Sequence, residues 1–372
     1  MSVYIPGVRP TIVDVNPYVA GKTIEEVKRE LGLTDVVKLG SNENPYAPFP
    51  EAMAAMQDAL SAIHTYPENS FVELRHRIGS VHGLSGDHVA ISHGAGGMLE
   101  TIARAFIQPG DEVVMLKQSY GLYREISRFM GAEVREVLLN GAYRADILDV
   151  TDAITEATKI VWLCNPNNPT GTVMDSTDLT PILDALPPQG WLIMDEAYAE
   201  FSDDGVLPDI RGPLDAGKNI IVIRTFSKAY GLAGARMGYA LAAPPTITAI
   251  DTVAEPFNAN RVGIAGATAV LGEGRAAVQE AIQKIRAGRE YLESHVAAAG
   301  STVTPTQTNF VFFELPRNEP RDADVVVDAL LHRGVIVRSG SGWGYPRHVR
   351  VTVGTDPENK VFLRNYREVL NG

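Results

Sequence analysis

The sequence predicts an α/β protein in which a large unit, built on a mostly parallel and helix-flanked sheet, precedes a smaller α+β unit. Short, nearly continuous apolar runs alternate with amphipathic or turn-rich segments that are long enough for crossover helices. Strands that are buried on both faces have this composition, and their alternation with helices is typical of parallel sheets. The predicted strands are Val89–Ser92, Val113–Leu116, Ile160–Cys164, Leu192–Met194 and Ile220–Arg224.

The chain divides into three predicted parts: an N-terminal arm and helix at 1–38, a large domain at 39–250, and a small C-terminal domain at 251–372. Thr23 and Glu26 predict a capping box at the start of the first helix. The residue pattern changes after Pro244, and one long helical stretch is predicted from Arg261 to Ala297. The later elements are expected at Phe310–Glu314, 322–333, Val335–Arg338, Val349–Val353 and 358–370.

Composition and charge argue against several classes of function. The 372 residues are 45% hydrophobic, which is ample for a core, and the formal net charge is −12. A general nucleic-acid surface would need clustered Lys and Arg instead. The single cysteine, Cys164, excludes an internal disulfide, and the histidines show no HExxH-like spacing, so no metal is expected. Neither a leader nor a membrane-length apolar run is evident, which predicts a cytoplasmic protein.

The chemistry is expected where the strands end, because ligands of parallel sheets bind beyond the carboxyl ends of the strands. The apolar run Ile220–Phe226 is followed at once by Ser227 and Lys228. Lysine is rarely buried unless it is paired, and a neutral amine is what imine formation requires. Arg236 comes eight residues later and could return to the same pocket to bind a phosphate. The alternative is a strand-end lysine that points to water.

The next strand end carries a carboxylate. Leu192–Met194 leads into Asp195, and Tyr198 follows three residues later. A carboxylate at this depth needs a cationic partner, which a protonated pyridine nitrogen would supply, and the charged ring would then act as an electron sink. Tyr198 could hydrogen-bond a phenolic oxygen of the same ring. A magnesium-binding aspartate is the alternative, but that interpretation calls for a GxxxxGK[ST] loop, which this sequence lacks.

Three further strand ends complete the predicted site. Asn168 lies in an NPNNPTG turn whose prolines and glycine fix the direction of its side chain. The glycine-rich stretch 93–97 precedes a helix predicted from Met98, and backbone amides at such a position converge on an anion. Tyr120, after the strand Val113–Leu116, is placed to stack on a planar ring, although core packing is an alternative for this residue.

Taken in chain order, these motifs resemble those of fold-type I aminotransferases that depend on pyridoxal 5'-phosphate (PLP). The likeness extends over nearly the whole chain and is greatest to the histidinol-phosphate aminotransferase branch. The segments similar to that branch are Arg9-Pro10, Asn16-Pro17-Tyr18, Leu39–Pro45, Tyr66-Pro67, Pro256–Asn260, Thr308–Phe310 and Val349–Gly354. The resemblance implies the PLP transferase fold of type I, with the cofactor held at the strand ends.

The resemblance also implies a role for each matched residue. Lys228 would be the imine-forming lysine and proton carrier, with Asp195 against the pyridine nitrogen. Asn168 and Tyr198 would hydrogen-bond the ring oxygen, and Tyr120 would stack on the ring. The cofactor phosphate would be held by Ala95, Gly96, Thr225, Ser227 and Arg236, while the substrate-side candidates are Tyr18, Asn309, Arg338 and Arg350.

A second subunit is implied as well. Tyr66 would reach the phosphate of the neighbouring subunit's cofactor, so that the active unit is a homodimer with Tyr66 and the N-terminal arm crossing the interface. One departure concerns the substrate: the branch usually has an acidic pair where this chain has Gly96-Gly97. A glycine-rich segment with Trp343 and Tyr345 could form a rim over the substrate, or an ordinary solvent loop.

The implied reaction is transimination at Lys228 followed by a 1,3-proton shift, which moves an amino group from a donor to a 2-oxo acid. Histidinol phosphate with 2-oxoglutarate is the leading pair of substrates, and the alternative is an aromatic or other amino acid as donor. Decarboxylation of a phosphorylated amino acid on the same scaffold is a lesser alternative. A non-catalytic regulator is disfavoured because every chemical position is filled.

Overall fold

A computed structural model describes residues 7–9, 11, 21–174 and 176–372 of the chain. The helices are α1 (Ile24–Leu31), α2 (Pro50–Leu60), α3 (Val72–Val81), α4 (Gly94–Phe106), α5 (Leu122–Phe129), α6 (Ile147–Asp152), α7 (Ser176–Ala185), α8 (Arg211–Asp215), α9 (Pro244–Val253), α10 (Arg261–Leu271), α11 (Arg275–Ala298), α12 (Ala323–Leu331) and α13 (Asp356–Asn371). The strands are β1 (Val37–Lys38), β2 (Val89–Ser92), β3 (Glu112–Leu116), β4 (Glu133–Val137), β5 (Thr158–Cys164), β6 (Trp191–Asp195), β7 (Ile220–Thr225), β8 (Gly238–Leu241), β9 (Thr302–Thr304), β10 (Phe310–Glu314), β11 (Val335–Ile336), β12 (Arg338–Ser339) and β13 (His348–Thr352).

The large sheet has seven strands in the order β2-β8-β7-β6-β5-β3-β4. Strands β7, β6, β5, β3 and β4 pair in parallel, whereas β8 runs antiparallel to both of its neighbours. The predicted α/β class with a mostly parallel sheet is therefore confirmed. The carboxyl ends of β5, β6 and β7 are adjacent at one edge, so the residues that follow these strands come together there.

Apolar side chains cover both faces of this sheet. Strands β2, β6 and β7 are buried along almost their whole length. One core cluster contains Val114, Val161 and Val222 and continues into the C-terminal unit. The other contains Ile160 and Ile193 and lies under helices α4, α5 and α9. Burial on both faces explains why these strands are continuous apolar runs rather than alternating ones.

The C-terminal unit is built on a second sheet, which is antiparallel and has the strand order β12-β13-β10-β9. Helices α11, α12 and α13 pack around it. The short strand β1 pairs in parallel with β11, so a segment that precedes the large sheet in the sequence packs against the C-terminal unit. The domain limits predicted at residues 39 and 250 stay predictions, and β1 shows that the segment just before residue 39 is held by the C-terminal unit.

The structure corrects three predicted elements. The element predicted at Val335–Arg338 is two short strands, β11 and β12, which belong to different sheets. The helical stretch predicted from Arg261 to Ala297 is two helices, α10 and α11, which are interrupted at Gly272–Gly274. Helix α4 begins at Gly94 rather than near Met98: Gly94 itself has a positive φ of +84°, and the small residues that follow it are already part of the helix. The capping box of Thr23 and Glu26 is present as predicted. Within the described residues, no helix combines the length and the apolar character that crossing a membrane would require.

Candidate active site

Most of the predicted site residues lie around one cavity of about 860 Å³ at the carboxyl edge of the large sheet, roofed by the C-terminal unit. It opens where β5, β6 and β7 end, as the parallel order of these strands requires. The predicted residues that line it are Ala95, Gly96, Tyr120, Asn168, Asp195, Tyr198, Thr225, Ser227, Lys228, Arg236, Arg338 and Arg350. Residues far apart in the sequence thus share one space.

Lys228 follows the end of β7 and points its amine into this cavity. Its Nζ donates a hydrogen bond to the carbonyl oxygen of Ser41 at 3.1 Å. Burial, together with the positive charge of Arg350, lowers the pKa of the Lys228 amine to about 8. The uncharged amine, which is the form that attacks a carbonyl carbon, is therefore far more abundant near neutral pH than in an ordinary lysine.

Asp195 ends β6 and is 4% exposed. Its Oδ1 accepts a hydrogen bond from the backbone amide of Ala197 at 3.1 Å, and its Oδ2 accepts one from the Tyr123 hydroxyl at 2.7 Å. Burial raises the pKa of the Asp195 carboxyl to about 6, although both hydrogen bonds oppose this rise. The site thus contains a carboxylate that would gain from a cationic group in the cavity.

Tyr198 and Asn168 are held by residues of the other unit and of the segment before the large sheet. The Tyr198 Oη accepts a hydrogen bond from Asn42 Nδ2 at 3.0 Å, so its own proton is left to donate elsewhere. Asn168 Oδ1 accepts a hydrogen bond from Arg350 Nη1, which fixes the amide of Asn168 at the rim of the cavity. Both side chains can therefore bond a ring oxygen from fixed positions.

A cradle for an anion lies where helix α4 begins. Gly94 has φ +84°, and a Cβ at this position would lie 2.5 Å from Arg236 Nη2, so only glycine lets the arginine approach. Arg236 Nη1 in turn donates to Ser227 Oγ at 3.3 Å. The first-turn amides at Ala95 and Gly96 line the same part of the cavity. Helix amides and a guanidinium together bind phosphate groups well.

The opposite wall of the cavity is cationic. Arg350 on β13 is 5% exposed, and its guanidinium lies 5.2 Å from the ring centres of both Phe310 and Trp343. Its Nη2 donates to the Gly40 carbonyl oxygen at 2.9 Å. Arg338 faces Arg350 across the β12–β13 ladder. A guanidinium held between two rings is well placed to bind the anionic part of a substrate.

Two predicted residues in the described part of the chain do not line the cavity, and a third falls outside that part. Asn309 is fully buried, and its amide donates to the Asn42 carbonyl oxygen at 3.0 Å, so it supports the wall from behind. Tyr66 is 76% exposed on the surface, where its ring stacks on Phe257 at 4.4 Å between centres. Tyr18 lies outside the described residues. The roles expected of these three residues stay predictions.

The sequence interpretation assigned no role to the segment 40–44, although the structure places it at the centre of the site. Successive residues of this segment contact Arg350, Lys228 and Tyr198. Asn42 has φ +55°, a left-handed conformation that the sequence does not reveal. In the sequence, only the likeness of this segment to the aminotransferase branch indicated that it could belong to the site.

The Gly96-Gly97 departure also takes a definite form. A Cβ on Gly97 would lie 2.8 Å from the ring of His93, whereas a Cβ on Gly96 would find its nearest neighbour, Leu122, at 3.7 Å. Gly96 is also the one of the pair that lines the cavity. Of the two positions, only 96 therefore has room for a side chain that could reach into the cavity.

The sequence profile of the family described as aminotransferase class I and II matches residues 34–365 of this chain. The chain belongs to that family. Among curated relatives, the histidinol-phosphate aminotransferase of Moorella thermoacetica is 38% identical over 98% of this chain and 94% of its own length. The enzyme of the same name from Symbiobacterium thermophilum is also 38% identical, over 98% of both chains.

Solved structures support the assignment of the chain to this aminotransferase family. The histidinol-phosphate aminotransferase of Sinorhizobium meliloti, in complex with PLP, superposes with a TM-score of 0.90 at 29% identity and covers 99% of both chains. A single mutant of the Thermus thermophilus aspartate aminotransferase superposes with a TM-score of 0.84 at 25% identity, over 98% of this chain and 100% of that one. Because enzymes of different substrates share the fold, the fold alone does not select the substrate.

PLP is the cofactor of this aminotransferase family, and the side chains of the cavity fit it. The Gly94 cradle with Arg236 suits its phosphate, and the buried carboxylate of Asp195 suits its ring nitrogen. Lys228 supplies an amine with a lowered pKa. Burial of charged groups such as the Asp195 carboxylate costs free energy unless a bound group of opposite charge compensates it.

The lowered pKa of Lys228 makes a prediction for this aminotransferase. We expect the rate at which cofactor-free enzyme takes up PLP covalently to rise with pH up to about 8 and then level off. The neutral amine is the reactive form, so the rate follows its fraction, whereas an ordinary lysine would keep gaining until about pH 10.4. Stopped-flow absorbance from pH 6 to 10 measures it. A rate that still climbs tenfold per unit above pH 9 would contradict the lowered pKa.

Proposed function

We propose that this chain is a histidinol-phosphate aminotransferase, which transfers the amino group of histidinol phosphate to 2-oxoglutarate in histidine biosynthesis. Curated relatives with that name match 98% of the chain at 38% identity. The support from the site itself is its charge, because histidinol phosphate carries a phosphate dianion and 2-oxoglutarate carries two carboxylates. The cavity is strongly cationic although the whole chain has a net charge of −12.

The cationic side chains of the cavity exceed what the cofactor needs. The lysines and arginines that line it are Lys38, Lys117, Arg124, Lys228, Arg236, Arg338 and Arg350, against the acidic Glu43 and Asp195. Lys38 pairs with Glu43 at 2.8 Å, and Arg124 pairs with Glu136 outside the cavity. Arg236 is assigned to the cofactor phosphate, and Lys117, Arg338 and Arg350 line the same cavity as candidates for contact with the substrate. Such a cluster selects anionic substrates.

Residues of the cavity have distinct roles in the proposed amino transfer. Bound PLP supplies an electron sink for the pair of electrons that leaves the carbon bearing the amino group. The Lys228 amine removes the proton from that carbon and returns it at a neighbouring position. Asp195 would keep the ring nitrogen positively charged, and Tyr198 and Asn168 would bond the ring oxygen. Arg350 holds the substrate anion, so that the reacting carbon stays beside the amine.

A second candidate is an aminotransferase of aromatic amino acids. The indole of Trp343 lies at 5.2 Å from the Arg350 guanidinium, so a carboxylate and a ring could be bound side by side. The aliphatic part of the cavity is small, with Val327 and Val337 near Arg338. The decarboxylase alternative gains no support from the curated relatives named above, which are aminotransferases.

A donor screen separates the two candidates. With 2-oxoglutarate as acceptor, we expect the kcat/KM for histidinol phosphate to exceed that for phenylalanine by about 100-fold, because the phosphate adds a charged contact to two arginines. The measurement is glutamate formation with each donor in turn. Histidinol, which lacks the phosphate, is the matched control. Equal values for histidinol and histidinol phosphate, or a preference for phenylalanine, would reject the proposed donor.

We also propose a homodimer in the cytoplasm. Exposed apolar side chains are concentrated around Tyr66: Leu60, Ile63, Val72 and Phe257 are all 40% exposed or more. Such patches commonly mark protein interfaces. An interface here would bury Tyr66 and let it reach the cofactor phosphate of the second subunit, as the family resemblance implies. Sedimentation as a monomer at micromolar concentration, with full activity, would contradict the dimer.

A further inference from the structure

We infer that Tyr123 is a positioning residue of the reaction, which holds the Asp195 carboxylate in place by a hydrogen bond from its hydroxyl. The Tyr123 Oη lies 2.7 Å from Asp195 Oδ2, and the two side chains are 0% and 4% exposed. A hydrogen bond to an ionised acceptor is about twice as strong as a neutral one. The inference rests on the proposed role of Asp195, which is to face the ring nitrogen of PLP.

Tyr123 is itself rigidly held. Its ring stacks on Trp162 with 5.6 Å between centres and 6° between planes. The Trp162 indole donates to Ser127 Oγ at 3.1 Å, and Ser127 Oγ donates to the Tyr123 carbonyl oxygen at 2.7 Å. All three side chains are buried. The ring is therefore held in one place, with its hydroxyl within hydrogen-bond distance of Asp195 and next to the Cys164 thiol.

The position of Tyr123 follows from helix α5. Tyr120 lies just before this helix and lines the cavity, while Tyr123 is one turn further along, and their rings meet edge to face at 5.6 Å. The Ala197 amide bonds the other oxygen of Asp195. With one donor on each oxygen the plane of the carboxylate is fixed, and its remaining lone pairs are available to the cavity.

The hydroxyl also affects the charge of Asp195. The titratable groups around this carboxylate are Tyr123 on α5, Cys164 on the neighbouring strand β5, and Glu196, Tyr198 and Lys228. Burial and Glu196 raise the pKa of Asp195, whereas Tyr123 and Lys228 lower it. Loss of the hydroxyl would move this pKa upward from about 6, so that more of the carboxyl is protonated at neutral pH. A neutral acid no longer favours a charged ring nitrogen.

The test is a double-mutant cycle on the PLP dissociation constant, with wild type, Tyr123→Phe, Asp195→Asn and the double variant. Phenylalanine keeps the stack on Trp162 and removes only the hydroxyl. We expect Tyr123→Phe to weaken PLP binding about tenfold in the wild-type background and by less than twofold in the Asp195→Asn background. The loaded Tyr123→Phe enzyme should lose kcat with little change in the KM of the donor. An equal loss of affinity in both backgrounds would overturn the inference.

Tyr366→Phe is the matched control. Tyr366 is also fully buried, and its hydroxyl lies 2.7 Å from Ser301 Oγ in the C-terminal unit. We expect it to lower thermal stability without changing PLP affinity. The single variants separate two failures. If Asp195→Asn binds PLP like wild type, the proposed role of Asp195 fails and this inference falls with it. If Asp195→Asn weakens PLP and Tyr123→Phe does not, only the inference about Tyr123 is overturned.

Discussion

Replacing Lys228 with alanine is expected to abolish amino transfer and leave the fold intact. The described contacts of its amine are a hydrogen bond to Ser41 and charge interactions within the cavity, so little packing is lost. The variant loses both the covalent attachment of PLP and the group that moves the proton. We expect kcat to fall by at least about 10³-fold, since general acid–base catalysis alone contributes 10²–10⁴-fold. Single-turnover absorbance with histidinol phosphate measures this.

Two controls make the result specific. Lys218→Ala removes an exposed lysine that pairs with Asp184 on the surface, and it should leave kcat unchanged. Methylamine added to the Lys228→Ala variant should restore part of the activity, because a free amine can carry the proton. The assignment is wrong if the variant turns over at the wild-type rate, or if borohydride still fixes PLP on the peptide of residue 228.

Arg350→Ala is expected to lower kcat/KM for histidinol phosphate by about 10²-fold or more. Arg350 is 5% exposed, and truncation of one partner of a buried charge pair typically costs 2–5 kcal/mol or more. The loss should be far smaller for histidinol, which offers no phosphate to the guanidinium. Arg350→Lys should lie between the two, because it keeps the charge and loses the planar fork. Steady-state kinetics with both donors measure the difference.

Arg333→Ala is the control for this experiment, since the side-chain hydrogen bond of Arg333 that the structure describes goes to the Ala329 carbonyl oxygen in the last turn of α12. It should leave both donors unaffected. An equal loss with histidinol and histidinol phosphate in Arg350→Ala would mean that Arg350 acts through Asn168 and Gly40 rather than on the phosphate. Both of those residues accept hydrogen bonds from its guanidinium.

Much of the large domain could be predicted because its strands are buried on both faces. The predicted run Val89–Ser92 coincides with β2, and the runs ending at Cys164 and near Asp195 match β5 and β6 within a few residues. The residues after these strands meet at one edge because parallel strands end together. The alternation of apolar runs with helices therefore predicted both the fold class and the place of the site.

The elements that were missed lack such a pattern. Strand β4 lies at the edge of the sheet with largely exposed side chains, and β8 is only four residues long and follows a turn-rich stretch. The start of α4 at Gly94 could not be predicted because its first turn is rich in glycine, which has a low helix propensity. Tyr123 and Asn42 gained their roles from tertiary contacts that no local pattern encodes. Tyr123 becomes a partner of Asp195 only in the folded protein, where its ring stacks on Trp162 of β5 and its hydroxyl reaches the end of β6.

Arg350 and Lys228 are joined through two consecutive peptide carbonyls. The Gly40 carbonyl oxygen accepts from Arg350 at 2.9 Å, and the Ser41 carbonyl oxygen accepts from Lys228 at 3.1 Å. These carbonyls belong to adjacent peptide units, which are separated only by the φ and ψ of Ser41. The guanidinium that would meet the substrate anion and the amine that would react thus share one short stretch of backbone as their support, so damage to that stretch would affect both.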